Sequence, residues 1–578
     1  MNNALRVALL IHFAFGSLFW QPFLRPVSAS QWSVQRHIVR PSSSELPFLS
    51  LHFQAFSSER GRIAAAPFRQ AKLRFVPGRI LGRPVPISFP QKANSVFSSR
   101  ENRRKRRPRE PFKKPHTGIV VELEGGHGNH HTFIGRLQHG TQFKNAHYYL
   151  QGHWEKTNGK DRNKHEEILS GQVSFTADIS KTVESATHGT YFHSEIELPQ
   201  FSSRATHKKS AIALITELTT NITPETSASL LLSGERSEFI DHESRSCTMD
   251  RYGGQLEIKQ HWDTQNTLKF LSKGFLELNQ EEGERFDTKY HGTSTLTNVF
   301  TLYDTFTLEA GVLFDHYHSQ EFQHTRYFIA PIATSRLRFF GNTTLFATYS
   351  PHLAIPDFNE LYMQRLYTLI NQELFAETVR HDFESGIQQR FGDQISLRVS
   401  FFYQEREDLL VQADTDHNNL LEYTQPGSAS FMGIRANLQM NFLERLVQST
   451  TYTYTRYDVT SLHLPEADAD YFQDTILPYQ PKHQVQASIY WLTPLGFAID
   501  FNGIYQSEQH RSWQREQNRI GQRFFLNVAL IQNITENFQI YLLGRNLIDT
   551  DIYDIIPMLD SREITSSQLF IGGVRGRF

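Results

Sequence analysis

Chemistry needs particular side chains at particular spacings, and this sequence offers few such groups. His127, His130 and His131 crowd into the stretch GGHGNHH. Imidazoles bind transition metals, but this spacing matches no standard site, and a flexible polar loop explains it better. Glu466, Asp468 and Asp470 (EADAD) offer the hard oxygen ligands that hold Ca²⁺, without the glycine-containing loop that positions them. The expectation is therefore no resident metal and no cofactor. Cysteine occurs once, at Cys247, which excludes an intramolecular disulfide, a Cys-based zinc site and a thiol pair; the residue is expected in a loop. There is no G-x-S-x-G elbow, H-E-x-x-H helix or phosphate-binding glycine loop. Ser, His and Asp are plentiful but carry no catalytic meaning without geometry. The chain is expected not to be an enzyme, with a hydrolase as the enzymatic alternative.

The elements that must position any site are strands. Aromatics make up 13% of the 578 residues, with 45 Phe and 22 Tyr, while hydrophobics reach only 39%. That mixture suits alternating strands better than helix bundles. Mean hydropathy is −0.46, and no internal apolar run approaches the roughly 18 residues of a spanning helix. A barrel stays compatible with a membrane because each strand needs only every second residue apolar.

From Thr117 onward a short turn, an alternating strand, a longer polar stretch and another alternating strand recur. The short turns fall near Thr141, Thr182, Thr223, Thr264, Asp304, Gly341, Gly392, Leu443, Pro494 and Thr535, at spacings of 37 to 51 residues. Each unit holds two strands of about 9 to 15 residues and one long loop. Ten short turns separate eleven hairpins, which predicts 22 strands. Since outer-membrane barrels have short periplasmic turns and long extracellular loops, both termini are expected in the periplasm. The alternation is legible directly. Ile395, Leu397, Val399, Phe401 and Tyr403 share one face; Gln394, Ser396, Arg398, Ser400 and Gln404 share the other, interrupted by Phe402. Phe524, Leu526, Val528 and Leu530 likewise oppose Arg523 and Asn527. A soluble sandwich shows the same alternation but rarely sustains it over 22 strands.

The first residues read as a secretory signal over 1–29: Arg6, the apolar core VALLIHFAFGSLFW (7–20), and small residues at Val27-Ser28-Ala29. Residues 30–116 form a basic, low-order segment with 19 Lys and Arg against 4 Asp and Glu. Residues 117–578 hold 38 against 56, so a near-neutral total hides opposite charges. The run ENRRKRRPREPFKK (101–114) reads as a solvated linker, with a basic arm for nucleic acid or anionic lipid, or a non-native coding stretch, as alternatives. No nucleic-acid partner is expected.

Four motifs in order give the strand pattern a family. VVELEGGHG (120–128) looks like a first barrel strand and its turn. LFATYSPHLAIPDFNELY (345–362) resembles the strand and Pro-centred loop of TonB-dependent receptors, through Pro356, Asn359, Glu360, Leu361 and Tyr362. Asn371-Gln372-Glu373-Leu374, Glu377 and Phe383-Glu384-Ser385-Gly386 resemble the segment that opens the family's next strand. GRNLIDTDIY (544–553), with Asn546, Leu547, Asp549 and Tyr553, and then Arg562 and Phe578, resembles its closing hairpin. Phe570, Val574 and Phe578 share a face of the last strand, resembling the signal read by the barrel-assembly machinery. The resemblance covers 117–578. It implies an all-β, 22-stranded antiparallel barrel in outer-membrane lipid. It further implies uptake of a scarce, bulky nutrient such as an iron chelate, a cobalamin or a glycan, from an unidentified extracellular source and coupled to the TonB complex. Family members carry a plug of about 130 residues inside the barrel, and no plug is recognisable in 30–116. A plugless diffusion pore and a surface-binding structural barrel are the alternatives. Long-loop residues such as Arg380, His381 and Asp382 are candidates for ligand contact.

Overall fold

The computed structural model describes residues 120–577, apart from 144, 159–164, 181, 198–205, 241–244, 282–283, 304, 321–322, 340–341, 356–375, 393, 414–421, 426, 443–444, 463–476, 494, 511–518, 536 and 549–567. Twelve strands come first: β1 (Val120–Gly128), β2 (Thr132–Gln142), β3 (Ala146–Thr157), β4 (Glu166–Asp178), β5 (Val183–Glu197), β6 (Thr206–Asn221), β7 (Thr226–Ile240), β8 (Ser246–His261), β9 (Asn266–Glu281), β10 (Glu284–Leu302), β11 (Phe306–Ser319) and β12 (His324–Phe339). The next position in the wall is shared by β13 (Thr343–Tyr349) and β14 (His352–Ala354), which both pair with β15 (Glu377–Phe391). Then follow β16 (Ile395–Glu407), the small hairpin β17 (Val411–Ala413) and β18 (Glu422–Thr424), β19 (Gly427–Phe442), β20 (Leu446–Leu462), β21 (His483–Leu492) and β22 (Phe497–Gln506). A second small hairpin, β23 (Gln509–His510) and β24 (Arg519–Ile520), precedes β25 (Arg523–Thr535), β26 (Phe538–Arg545) and β27 (Leu569–Arg577).

All wall strands pair antiparallel with their chain neighbours, and β27 pairs back onto β1 from Glu122↔Arg577 to Gly128↔Ile571. The sheet thus closes on itself with 22 positions in the wall, as the turn spacing predicts, and closure removes the edges that an open sheet would leave unpaired. The short connections fall where expected, between Gln142 and Ala146, Asp178 and Val183, Asn221 and Thr226, His261 and Asn266, and onward round the wall. Their chemistry recurs: Ser180 Oγ accepts from the Val183 amide (3.1 Å), Thr223 Oγ1 from the Thr226 amide (3.0 Å), and Asp263 Oδ1 from the Asn266 amide (2.7 Å). A side-chain oxygen three residues ahead of the strand satisfies the amide that the turn leaves open.

Several strands outrun the expected 9 to 15 residues; β10 has 19 and β20 has 17. The extra length lies at the long-loop end, where ladder hydrogen bonds continue past the apolar belt because they do not require apolar side chains. Two expectations are corrected by this. Cys247 is the second residue of β8 and buried, rather than in a loop. Arg380, His381 and Asp382 lie within β15 beside a bulge between Val379 and His381, rather than in a loop. The histidine-rich stretch is a third: His127 sits in β1, its ring 4.8 Å from that of Phe133, and His130 and His131 form a tight turn with φ of 56° and 53° instead of a flexible loop.

The outer face is apolar and exposed. Leu137, Leu169, Leu214, Leu232, Leu296, Val312 and Ile434 are among many large hydrophobics left uncovered, at 41–53% exposure. Phe133, Trp154, Tyr290 and Tyr327 flank this belt at the loop end, and Phe143, Trp262, Tyr303 and Phe538 at the turn end. A continuous apolar band between two aromatic rings is what a lipid bilayer demands of a barrel exterior.

Candidate functional site

Strand alternation sends every second side chain inward, and there the sequence places charge. At the loop end of β8 to β10, Arg251, Glu277 and Lys289 stand opposite one another in register. Arg251 Nε donates to Glu277 Oε2 at 3.0 Å, Lys289 Nζ lies 4.0 Å from Glu277 Oε1, and the Arg251 guanidinium stacks 4.7 Å from the Phe275 ring centre. Farther round, Arg406 Nη1 donates to Glu377 (2.9 Å) and its Nη2 to Gln404 (2.7 Å), while Gln404 donates to Asp382 (3.0 Å). Asp315 Oδ2 accepts the Leu353 amide (3.0 Å), and Asp315 Oδ1 lies 4.0 Å from His291. Arg398 donates to Glu384 (2.9 Å) with its guanidinium 3.9 Å over Phe346. Unpaired, charges with so little exposure would cost several kcal/mol each; here Arg251, Lys289, Arg398 and Arg406 each face a carboxylate, and aromatic rings cover the guanidinium faces.

Phe402, which interrupts the polar face of β16, is accounted for by the same rule. It points inward, buried, with the Arg435 guanidinium 5.3 Å over its ring. A Cβ at Gly433 would come within 2.7 Å of that ring and 1.9 Å of the Tyr454 carbonyl, so only glycine admits the arrangement.

The closing seam has its own set. Glu124 on β1 accepts from Arg575 of β27 (2.8 Å) and pairs with Arg136 of β2 (3.2 Å), tying three adjacent strands. Tyr541 of β26 lies across the seam over Gly126 and Gly573, where added Cβ atoms would approach its ring oxygen at 2.5 and 2.2 Å. Nearby, Arg545 of β26 reaches Glu155 of β3 at 2.5 Å. That pair links residues 390 apart in sequence, and only closure of the wall brings them together.

Among the described residues no group of three or more His, Cys, Asp or Glu side chains is arranged to hold a metal. Of the residues singled out from the sequence, Glu377 enters the inner-wall network through Arg406 and the Leu410 amide (2.9 Å). Asn546 is fully buried in the left-handed region (φ 49°), its amide donating to Asn527 Oδ1 (2.9 Å), and Leu547 turns back with its amide on the Leu526 carbonyl (2.9 Å). Phe570 and Val574 face outward at 45% and 44% exposure. Pro356, Asn359, Glu360, Leu361, Tyr362, Asp549, Tyr553, Arg562, Phe578, Glu466, Asp468 and Asp470 lie outside the described residues. The inner-wall charges Arg251, Glu277, Lys289 and Arg406 were not singled out from the sequence. Their inward phase on the strands was the available signal; which of them meet depends on the register of neighbouring strands.

With closed wall, apolar belt and charged interior in view, the comparisons with known proteins agree. Residues 114–547 match the family model described as TonB dependent receptor-like, beta-barrel. The chain belongs to that family. Its barrels are outer-membrane receptors and transporters of Gram-negative bacteria. Similar solved structures include the copper transporter OprC (13% identity, 81% of this chain and 82% of that one, TM-score 0.59). They also include the ferric-catecholate import receptor Fiu from Escherichia coli K12 (11%, 80% and 82%, 0.61) and the siderophore receptor PiuA from Acinetobacter baumannii (11%, 80% and 82%, 0.62). At such identities the likeness is one of fold. No match was found among curated proteins.

Proposed function

We propose that this barrel is an outer-membrane receptor that captures a scarce, bulky ligand at its long-loop end and passes it inward, with both termini in the periplasm. The observation that carries the reading is the concentration of paired, buried charge on the inner wall at one end of a barrel whose exterior is apolar. Such a wall suits recognition at a mouth better than free diffusion, because side chains locked in networks present a fixed surface. The copper, siderophore and ferric-catecholate transport named for the similar structures fits the same class of task.

A barrel of 22 strands encloses a lumen that must be filled or it conducts. We assign residues 1–29 to a secretory signal and give the basic segment 30–116 the task of occluding the acidic barrel 117–578, with opposite charge as the attraction. Coupling to the TonB complex, residence in outer-membrane lipid and insertion by the barrel-assembly machinery belong to the same proposal. Single-channel conductance of the full-length refolded protein, beside a version starting at Thr117, tests it. A closed full-length form and a conducting shortened form support the receptor. Equal conductance of both makes the chain a plugless pore and ends the active-transport reading. A sealed shortened form that binds a protein partner points instead to a structural, surface-binding barrel.

A further inference from the structure

The wall strands do not keep both neighbours along their whole length. β11 and β12 pair without a break from Phe306↔Leu337 to Ser319↔His324, but β13 pairs with β12 only from Ala333 to Phe339. Beyond Tyr349 the chain turns inward. Leu353 of β14 clusters with Tyr317 and Phe328, and its amide donates to Asp315 Oδ2 (3.0 Å). β14 pairs with β15 and leaves β12. Among the described residues, the stretch from Thr325 to Ile332 therefore has a strand on one side only.

The direction of its backbone groups follows from parity. The Arg338 amide donates to the Thr305 carbonyl (2.7 Å), and the ladder has no register shift, so the even-numbered residues of β12 bond β11. Thr325, Tyr327, Ile329 and Pro331 then turn their backbone groups to the open side. Pro331, in mid-strand, fits this parity, because proline is admitted where its missing N–H faces no partner. Tyr327 and Ile329 are 68% exposed each. The edge lies partly in the apolar belt: Ile329 stands opposite Phe314, and Pro331 opposite Val312. Open edges are not left to lipid, which has no water to satisfy the amides. The loop end of β20 also outruns its neighbour β21, but Arg456 and Asp458 are the exposed residues there, as water allows.

What covers an edge is set by what it offers. Donors and acceptors at alternate residues are matched by another extended chain. Its outward residues must be apolar, beside Tyr327 and Ile329. At the loop end it meets carboxylates. Arg326 bonds Asp408 and Thr378 (2.8 Å), and Glu407 stands opposite Thr378 on β16 with Glu405 nearby. Glu405, Glu407 and Asp408 face two guanidiniums, Arg326 and Arg380, so one negative charge of this group is left over.

We propose that the β12 edge from Thr325 to Pro331 takes up an extended segment of a protein partner at the outer surface. The segment adds to the wall as an antiparallel strand, apolar at every second position and cationic at the end beside Glu405 and Asp408. This rests on the placement of the long loops outside the cell in the receptor reading; its failure leaves the conductance test of that reading untouched.

The test is binding of a fluorescein-labelled octapeptide, Val and Thr in alternation with a Lys at each end, to the full-length chain in detergent micelles. Beside it goes the same peptide N-methylated at every Val, which keeps the side chains and removes the amides that would face β12. Saturable binding is expected, at least about tenfold tighter than that of the methylated form. Bound peptide should slow amide exchange at Tyr327 and Ile329. Ile329→Pro should keep the barrel folded by heat-dependent electrophoretic mobility and weaken binding about tenfold. Phe328→Pro, whose N–H serves β11, should instead lower the unfolding midpoint in urea. Absence of saturable binding, equal binding of both peptides, or unchanged binding to folded Ile329→Pro overturns the proposal. So does slow exchange at Tyr327 and Ile329 in the free chain, which would show the edge already covered by the chain itself or, where the chain sediments as a dimer, by a second copy. The two-peptide comparison and the exchange use the unaltered chain and stand even where a variant fails to fold.

Discussion

Replacing Glu277 by Gln removes a carboxylate that faces two cations at once. Its side chain is 1% exposed, against 2% for Arg251 and 9% for Lys289. The Lys289 contact at 4.0 Å is worth about 4 kcal/mol at an effective dielectric near 20, and the Arg251 contact at 3.0 Å adds to it. Desolvation of the ions offsets part of this sum. Breaking a buried pair from one side typically costs about 3–5 kcal/mol, so a loss of about 3 kcal/mol is expected for Glu277→Gln. Urea unfolding of the micelle-borne barrel, followed by tryptophan emission and by heat-dependent mobility, measures it. The triple variant Arg251→Met, Glu277→Leu and Lys289→Met should recover at least half of the loss, because it leaves neither cation buried without a carboxylate. A loss under about 0.5 kcal/mol for Glu277→Gln would refute the reasoning, since it would mean that water screens the inner wall and the ladder is not a buried network.

Three further expectations follow from the wall. Gly573→Val should destabilise the closing seam by about 1–3 kcal/mol, because its side chain meets the Tyr541 ring; Gly573→Val with Tyr541→Ala should restore much of it, read by the same unfolding curves. Leu214→Arg, midway along β6 on the lipid face, should cost about 2–4 kcal/mol, whereas Gln486→Arg on the exposed inner face of β21 should change stability by less than about 0.5 kcal/mol; unfolding in lipid vesicles compares them. In the turn before β9, the Asn266 side chain and the Gln265 and Asn266 amides hold the Asp263 carboxyl below its usual pKa. A depressed carboxylate stabilises above its unfolded pKa and loses that contribution as pH falls through the folded value. Amide exchange at Gln265 and Asn266 should therefore stay slow through neutral and mildly acidic pH and accelerate only below the ordinary carboxylate range.

The sequence by itself determined the wall. Period-two alternation in stretches such as Phe524 to Leu530 fixed which residues face lipid, since a one-residue slip would reverse every side chain. Turn chemistry at Ser180, Thr223 and Asp263 set the hairpin spacing, and the spacing set the strand number. These signals are local, carried by residues within a few positions of one another. Tertiary structure decided the rest. Cys247 and the Arg380–Asp382 stretch look like loop residues because their neighbours are polar, but a ladder of backbone bonds extends the strands through them. Phe402 looks like an error in the pattern until Arg435 on β19 covers it. The meeting of Arg545 with Glu155 and of Arg575 with Glu124 depends on closure of the wall. Those relations join distant positions, and no short-range pattern encodes them.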